Sequence, residues 1–173
     1  MRLYSTLDRK VVDIVPIEEG KISMYNCGPT VYSRMHVGNI RAYVSWDVLH
    51  RALLYLGFEV KRVMNFTDVG HMTKDEDFGE DKIEKAASQS GKDPLDISNQ
   101  YIKTVLEDFS KLNILSPSGD EVKPDLDLKD LVAYGWLRAT SYVDEMIEKI
   151  KEMEKNGYTY ETDQAVYFDI TKI

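Results

Sequence analysis

Residues 21–66 constrain the fold most strongly, because strand, loop, helix and strand patterns follow one another there. The stretch "KISMYNCG" has the composition of a short buried strand, and it ends at Gly28. Apolar residues then recur at steps of three and four from Asn39 to Leu56, which predicts a helix closed by Gly57. The following "FEVKRVMNF" is rich in residues that favour strands. This order predicts a right-handed βαβ unit of about 40 residues with parallel strands.

The chain downstream of this unit is predicted to be mostly helical. "EDKIEKAASQSG" predicts a short polar helix, and "DPLDISNQYIKTVLEDFSKLNI" a longer one that begins at Asp93-Pro94. A second long helix is predicted from about Asp127 or later to Lys155, and "YTYETDQAVYFDI" alternates as a β-hairpin does. The side chains assigned to the apolar helix faces and the core are Ile97, Tyr101, Ile102, Val105, Leu106, Phe109, Leu112, Trp136 and Tyr142.

Composition places the chain among globular proteins and indicates where in the cell it is expected. Its 173 residues suffice for one core, or for one domain and the start of another. No apolar run approaches the roughly 20 residues that span a bilayer, and the N-terminus lacks a secretory pattern. With a single cysteine, the cytoplasm is the expected location. The net charge of −8 argues against an extended nucleic-acid-binding surface, and the acidic run "DEDFGED" is predicted to be a solvated loop.

The loop between the first strand and the helix is the predicted ligand site. Ligands of open parallel sheets bind beyond the carboxyl ends of the strands, where residues 27–39 lie. Gly38 permits a close approach to the backbone, and the helix N-terminus offers N–H groups that suit a phosphate. His36 stands just ahead and can donate a hydrogen bond to a phosphate oxygen. The four residues "HVGN" alone fit an ordinary capped loop at least as well.

The wider segment "MYNCGPTVYSRMHVGNIRAY", followed by "DVLHRALLYLGFEVKRVMNFTDVGH", closely resembles the N-terminal part of cysteinyl-tRNA synthetase. "HVGN" resembles the HIGH signature of class I synthetases, and "CGPTVY" and "NFTDV" resemble this member of the class. The resemblance implies an α/β fold: the first half of a Rossmann-type (HUP-like) parallel-sheet catalytic domain over residues 1–156. Residues 157–173 would then begin a β-containing connective insertion.

The resemblance implies an amino-acid pocket that includes a metal. Cys27 matches the family's zinc-ligand cysteine, and Gly28 and Thr30 match residues that line the pocket. A zinc ion suits the task, because Zn²⁺ binds a thiolate far better than a hydroxyl and so separates cysteine from serine. A purely apolar pocket discriminates such a pair poorly.

The resemblance also implies roles for residues of the ATP site and for residues at the end of the second strand. His36, Gly38 and Asn39 fall on the signature that binds ATP, and His36 and Asn39 are the catalytic candidates. Thr67 resembles the family's substrate-contacting threonine. Asp68 is the candidate to hold the substrate ammonium.

Other histidines and arginines have plainer interpretations. His50 lies on the predicted helix and is expected to be a surface or packing residue. His71 lies in a loop near the crevice, where a supporting role is possible by residue type. Arg34 and Arg41 flank the signature, and a solvated or salt-bridged arginine is the commoner outcome.

The whole enzyme implied by the resemblance activates L-cysteine with ATP and Mg²⁺ and transfers it to tRNA(Cys). The family's remaining zinc ligands, its KMSKS loop and its anticodon-binding helices match nothing in this sequence, so the chain alone is predicted to be inactive. Two alternatives stay open. One is a short paralogue that acts as a nucleotide- or cysteine-binding regulatory module, and the other is a related ligase that joins cysteine to an amino sugar.

Overall fold

The computed structural model describes residues 1–70, 83, 86–88, 91–163 and 165–173. Its strands are β1 (Arg2–Ser5), β2 (Lys10–Asp13), β3 (Lys21–Asn26), β4 (Glu59–Phe66), β5 (Trp136–Arg138), β6 (Thr159–Glu161) and β7 (Val166–Phe168). Its α-helices are α1 (Val37–Tyr55), α2 (Pro94–Lys111) and α3 (Val143–Lys155). Short 3₁₀ helices span Leu128–Tyr134, Ala139–Tyr142 and Ile170–Lys172. The acidic run, His71 and most of the predicted short polar helix lie outside the described residues, although residues 83 and 86–88 are helical.

The predicted order of strand, helix and strand, with the two strands parallel, is confirmed. Strands β3 and β4 pair in parallel, with the register running from Lys21 opposite Glu59 to Asn26 opposite Met64. Helix α1 connects them and begins two residues before the predicted start, because His36 caps it. Gly57 follows the helix with a φ of 85°, a left-handed conformation that glycine adopts without strain.

The predicted helix from Asp127 to Lys155 is wrong in its first half. A 3₁₀ helix ends at Gly135, and β5 then pairs in parallel with β4, which gives the sheet order β3-β4-β5. Trp136 is fully buried in this strand, and its ring lies 6.1 Å from that of Phe66. Burying a tryptophan against the sheet outweighs a helical spacing of apolar residues. The prediction that Trp136 belongs to the core is confirmed.

The core lies between the parallel sheet and helices α1 and α2. The Asp93 carboxylate caps α2 by accepting the Leu95 N–H at 2.8 Å, as the sequence predicted. The predicted apolar face of α2 is buried at Ile97, Ile102, Val105, Leu106 and Phe109. Tyr101 is partly buried against the same core. The prediction for Leu112 is wrong, because this residue follows the end of the helix and is 46% exposed.

Two antiparallel hairpins precede and follow the parallel sheet along the chain. Strands β6 and β7 form the predicted C-terminal hairpin. Strands β1 and β2 form an N-terminal hairpin that the sequence analysis did not predict. Its strands have four residues each and bury no side chain fully, so they carry little hydrophobic pattern. Among the described residues, no helix is both long and apolar enough to span a membrane.

A buried polar cluster joins α1 to β4 around His50, which the structure identifies as a packing residue. Arg62 donates from Nη1 to His50 Nδ1 at 3.3 Å and from Nε to Asn26 Oδ1 at 2.7 Å. Since Nδ1 accepts, the neutral ring carries its proton on Nε2, which has no hydrogen-bond partner within the described part of the chain. Burial, and then the Arg62 charge, lower the pKa of His50, while Asp47 partly offsets them.

This cluster predicts a loss of stability in mild acid. A histidine in the unfolded chain binds a proton below about pH 6.5, whereas folded His50 resists protonation. The unfolded state therefore holds more protons between the two pKa values, so the free energy of unfolding should fall as the pH drops from about 6.5. Urea denaturation between pH 7.5 and 5.5 checks this. His50→Gln should flatten the profile, whereas Val48→Gln, at an exposed position of the same helix, should not. Parallel profiles for wild type and His50→Gln would contradict it.

Candidate active site

The predicted site residues gather at the carboxyl ends of β3 and β4. A cavity of about 320 Å³ opens there, between the end of β3 and the start of α1. Four predicted residues line it: Gly28, Thr30, His36 and Asn39. The position agrees with the rule that ligands of parallel sheets bind beyond the carboxyl ends of the strands.

His36 and Asn39 form a reciprocal cap at the start of α1. The Gly38 N–H donates to His36 Nδ1 at 3.0 Å, and the His36 N–H donates to Asn39 Oδ1 at 3.1 Å. A backbone N–H can only donate, so His36 Nδ1 holds a lone pair and the neutral ring carries its proton on Nε2. The cap thereby leaves two donors for a ligand in the cavity: the Nε2–H of His36 and the side-chain NH₂ of Asn39.

Gly38 makes this cap possible. A Cβ atom on Gly38 would lie 2.8 Å from His36 Cε1 and 3.0 Å from Nδ1, closer than the ring can tolerate without shifting. The group that approaches the Gly38 backbone is thus the His36 ring. The Gly38 N–H is already bonded to this ring, so His36 and Asn39 present the donors that the bare helix terminus was expected to offer.

Gly28 follows the end of β3 and packs tightly against the backbone of β4. Its N–H donates to Asn65 Oδ1 at 2.8 Å, and a Cβ atom on it would lie 1.5 Å from the Asn65 carbonyl oxygen. No side chain fits at this position. Cys27, directly before it, is exposed, and its thiol lies 3.8 Å from the Gly28 carbonyl oxygen.

Thr30 and Thr67 lie opposite each other, where the parallel pairing resumes beyond the strands. The Val31 N–H donates to the Thr67 carbonyl at 3.2 Å, and the Thr67 N–H donates to the Pro29 carbonyl at 3.0 Å. The Thr67 hydroxyl oxygen accepts a 2.8 Å hydrogen bond from Asn65 Nδ2. The structure therefore brings Thr67 beside Thr30 and links it to Gly28 through Asn65.

Asp68 is turned into the protein. Its carboxylate accepts hydrogen bonds from Arg138 Nε at 2.7 Å, from the Thr140 N–H at 2.9 Å and from Thr140 Oγ1 at 2.7 Å. Its side chain is 0% exposed. Arg138 is held in turn by Asn99 and Ser98 of α2. This cluster joins the ends of β4 and β5 to α2, and the contact of Asp68 with a substrate ammonium stays a prediction.

Cys27 is exposed, so a metal ion could reach its thiol, but among the described residues it belongs to no group of possible metal ligands. The described residues contain no group of three or more His, Cys, Asp or Glu side chains arranged to hold a metal ion. A structural or catalytic zinc needs three or four protein ligands. The described part of the chain therefore does not complete a zinc site, and Cys27 would be a single ligand.

Two tyrosines near Cys27 have raised pKa values, and an arginine that lines the cavity is solvated. Burial, and then the nearby Cys27, raise the pKa of Tyr43 well above its usual range, and the same two causes raise the pKa of Tyr25. Arg34 lies at the cavity with its side chain 65% exposed and 4.0 Å from Asp108. Such an exposed ion pair contributes little to stability.

Sequence reasoning missed Asn65, Arg138 and Thr140. Asn65 carried a usable signal, because it stands two positions before Thr67 and residues two apart in a strand share a face. Arg138 and Thr140 carried none, since the strand that places them was predicted to be helical.

Sequence comparison gives one consistent set of relatives. A family model described as "tRNA synthetases class I (C) catalytic domain" matches residues 13–173. A cysteine–tRNA ligase of Treponema denticola is 43% identical over 171 residues, which cover 99% of this chain and 32% of that protein. The cysteine–tRNA ligase of Pyrococcus abyssi is 38% identical, over 99% of this chain and 31% of its own length. The chain thus spans about a third of these relatives.

Structural comparison supports the fold independently. The chain superimposes on a leucyl-tRNA synthetase (LeuRS) from Agrobacterium radiobacter K84, solved as a ternary complex with tRNA and LeuAMS, with a TM-score of 0.58. The match covers 84% of this chain and 16% of that one at 19% sequence identity, so it concerns the fold alone.

Proposed function

The chain belongs to the family of class I (C) tRNA synthetase catalytic domains, and on this premise we propose that it is the N-terminal catalytic part of a cysteine–tRNA ligase. Its parallel sheet flanked by helices is the predicted class I α/β fold. In the proposed reaction, a carboxylate oxygen of L-cysteine attacks the α-phosphorus of ATP and pyrophosphate leaves. A terminal ribose hydroxyl of tRNA(Cys) then attacks the acyl carbon of the cysteinyl-adenylate, and AMP leaves.

One observation carries the proposal: the signature residues form a cap that leaves two side-chain donors unused, and both residues line the cavity. The Nε2–H of His36 and the amide of Asn39 stand at the positive end of the α1 dipole. Negative charge builds on the α-phosphate and the departing pyrophosphate during activation. Fixed donors stabilise such charge more than they stabilise the ground state. His36 and Asn39 are therefore the proposed catalytic residues, with Gly38 shaping the ATP site.

The amino-acid pocket is proposed to lie at Gly28, Thr30 and Thr67, which the strand ends hold together. Cys27 is proposed as one zinc ligand, and the others would come from outside this sequence. The metal, when bound, would supply selectivity for a thiolate over a hydroxyl. Mg²⁺ would accompany ATP. Asp68 remains the candidate for the substrate ammonium, and its carboxylate also accepts hydrogen bonds from Arg138 and Thr140.

The organisation of the chain follows from the same proposal. Residues 1–156 would form the first half of the catalytic domain, and residues 157–173 the start of the connective insertion. The proteins it matches are about three times as long, and the remaining part is proposed to be required for activity. A cytoplasmic location suits an enzyme that uses ATP and tRNA.

Cysteine-dependent ATP–pyrophosphate exchange tests this function in the complete protein that contains the chain. Wild type should exchange with L-cysteine and not with L-serine. His36→Ala should lower the exchange rate about a hundredfold or more with little change in cysteine affinity, because it removes a donor to developing charge. Cys27→Ser should abolish the response to cysteine while ATP still binds.

The controls separate the competing interpretations. Val48→Gln, on the exposed side of α1, should leave exchange unchanged. Absence of cysteine-dependent exchange in wild type would overturn the proposal and favour a binding module. Exchange followed by transfer to an amino sugar, and not to tRNA(Cys), would identify the related ligase.

A further inference from the structure

The side chain of Asn65 connects both walls of the proposed amino-acid pocket. Its Oδ1 accepts the Gly28 N–H at 2.8 Å and the Tyr25 hydroxyl at 2.9 Å. Its Nδ2 donates to the Thr67 hydroxyl oxygen at 2.8 Å. The first two groups belong to β3 and its continuation, and the third follows β4. One carboxamide thus makes three hydrogen bonds at the ligand-binding end of the sheet: two cross to β3 and its continuation, and one runs along its own strand.

The chemistry of the partners fixes the orientation of this carboxamide. The Gly28 N–H can only donate, so the atom facing it is the oxygen Oδ1. The atom facing Thr67 is then the NH₂ group, and the Thr67 oxygen must accept. A hydroxyl has one proton and two lone pairs. The Thr67 hydroxyl therefore keeps its proton and one lone pair for another partner, in an orientation that Asn65 sets.

We propose that Asn65 is a positioning residue of the amino-acid pocket, acting through Gly28 and Thr67. The inference deepens the proposed function and rests on it, because that function assigns these two residues to substrate binding. Backbone pairing alone holds the strand ends together but leaves the Thr67 side chain free to rotate. The Asn65 carboxamide removes this freedom before the substrate arrives, which is how pre-organised sites gain affinity and precision.

Hydrogen exchange and side-chain NMR on the 173-residue chain test the physical link. Asn65→Ala should accelerate exchange of the Gly28 amide about tenfold and let the Thr67 χ1 angle average between rotamers. Asn65→Asp should keep the Gly28 amide protected, since an acceptor remains, but it should change the Thr67 signals, since the donor is lost. Tyr25→Phe is the matched control: it removes one Asn65 contact and should leave Gly28 and Thr67 as in wild type. Unchanged Gly28 exchange in Asn65→Ala would overturn the link.

Steady-state pyrophosphate exchange by the complete protein tests the role. Asn65→Ala and Asn65→Asp should each raise the KM for cysteine tenfold or more, with the KM for ATP within twofold of wild type. A general structural defect would change both constants. An unchanged KM for cysteine, together with faster Gly28 exchange, would overturn the role. Wild type without cysteine-dependent exchange would overturn the proposed function and this role with it, even where NMR shows the link.

Discussion

Replacing Gly28 with alanine should destabilise the chain by more than about 3 kcal/mol, the upper end of what overpacking usually costs. The added Cβ atom would lie 1.5 Å from the Asn65 carbonyl oxygen and 2.7 Å from its carbon. Both are backbone atoms, so no side chain can rotate away and the ends of β3 and β4 must separate. This separation would also break the bond from the Gly28 N–H to Asn65. Urea denaturation followed by circular dichroism measures the loss.

Gly20→Ala is the matched control for this prediction. Gly20 has a φ of 77°, and a Cβ atom on it would meet nothing within 4 Å. The substitution should therefore cost only the strain of a left-handed alanine, about 1–2 kcal/mol. A Gly28→Ala chain no less stable than Gly20→Ala would show that the strand ends yield easily, which would contradict the close packing of Gly28 on Asn65.

Asp68→Ala should lower the free energy of unfolding by about 3–5 kcal/mol, the usual cost of removing one partner of a buried ion pair. It leaves the Arg138 guanidinium, whose side chain is 17% exposed, without its carboxylate. It also removes the acceptor for the N–H and hydroxyl of Thr140. Asp68→Asn keeps an acceptor oxygen and the shape of the side chain, so it should cost less. Urea denaturation of the ligand-free chain measures all three proteins.

Asp13→Ala, at an exposed position, is the control for Asp68→Ala. Asp13 is 74% exposed and lies 4.0 Å from Arg2, so Asp13→Ala should change the stability by no more than about 1 kcal/mol. If Asp68→Ala were no more destabilising than Asp13→Ala, the buried cluster would be unimportant for folding. The Asp68 carboxylate would then be better explained as a group kept for the substrate ammonium.

The βαβ unit and helix α2 could be predicted because local signals agree along these segments. Apolar residues at helical spacing and Gly57 defined α1, and Asp93 with Pro94 defined the start of α2. The rule for parallel sheets and the family resemblance then pointed to the end of the sheet where His36 and Asn39 cap α1 beside a cavity. For these parts, short-range propensity and long-range packing favour the same structure.

Where the local sequence pattern and the long-range packing favour different structures, only the tertiary structure shows which one forms. The amino-acid sequence by itself indicated the strands and helix of the parallel unit and the capped start of α2, because each of these signals depends on neighbours a few positions apart. Strand β5 depends instead on the packing of Trp136 against Phe66, which lies 70 positions earlier. This contact outweighs the helical spacing of the apolar residues. The same holds for the partners of Asp68 and for the bonds of Asn65 to Gly28. Such contacts arise from the burial of side chains that are distant in sequence, and no local period encodes them.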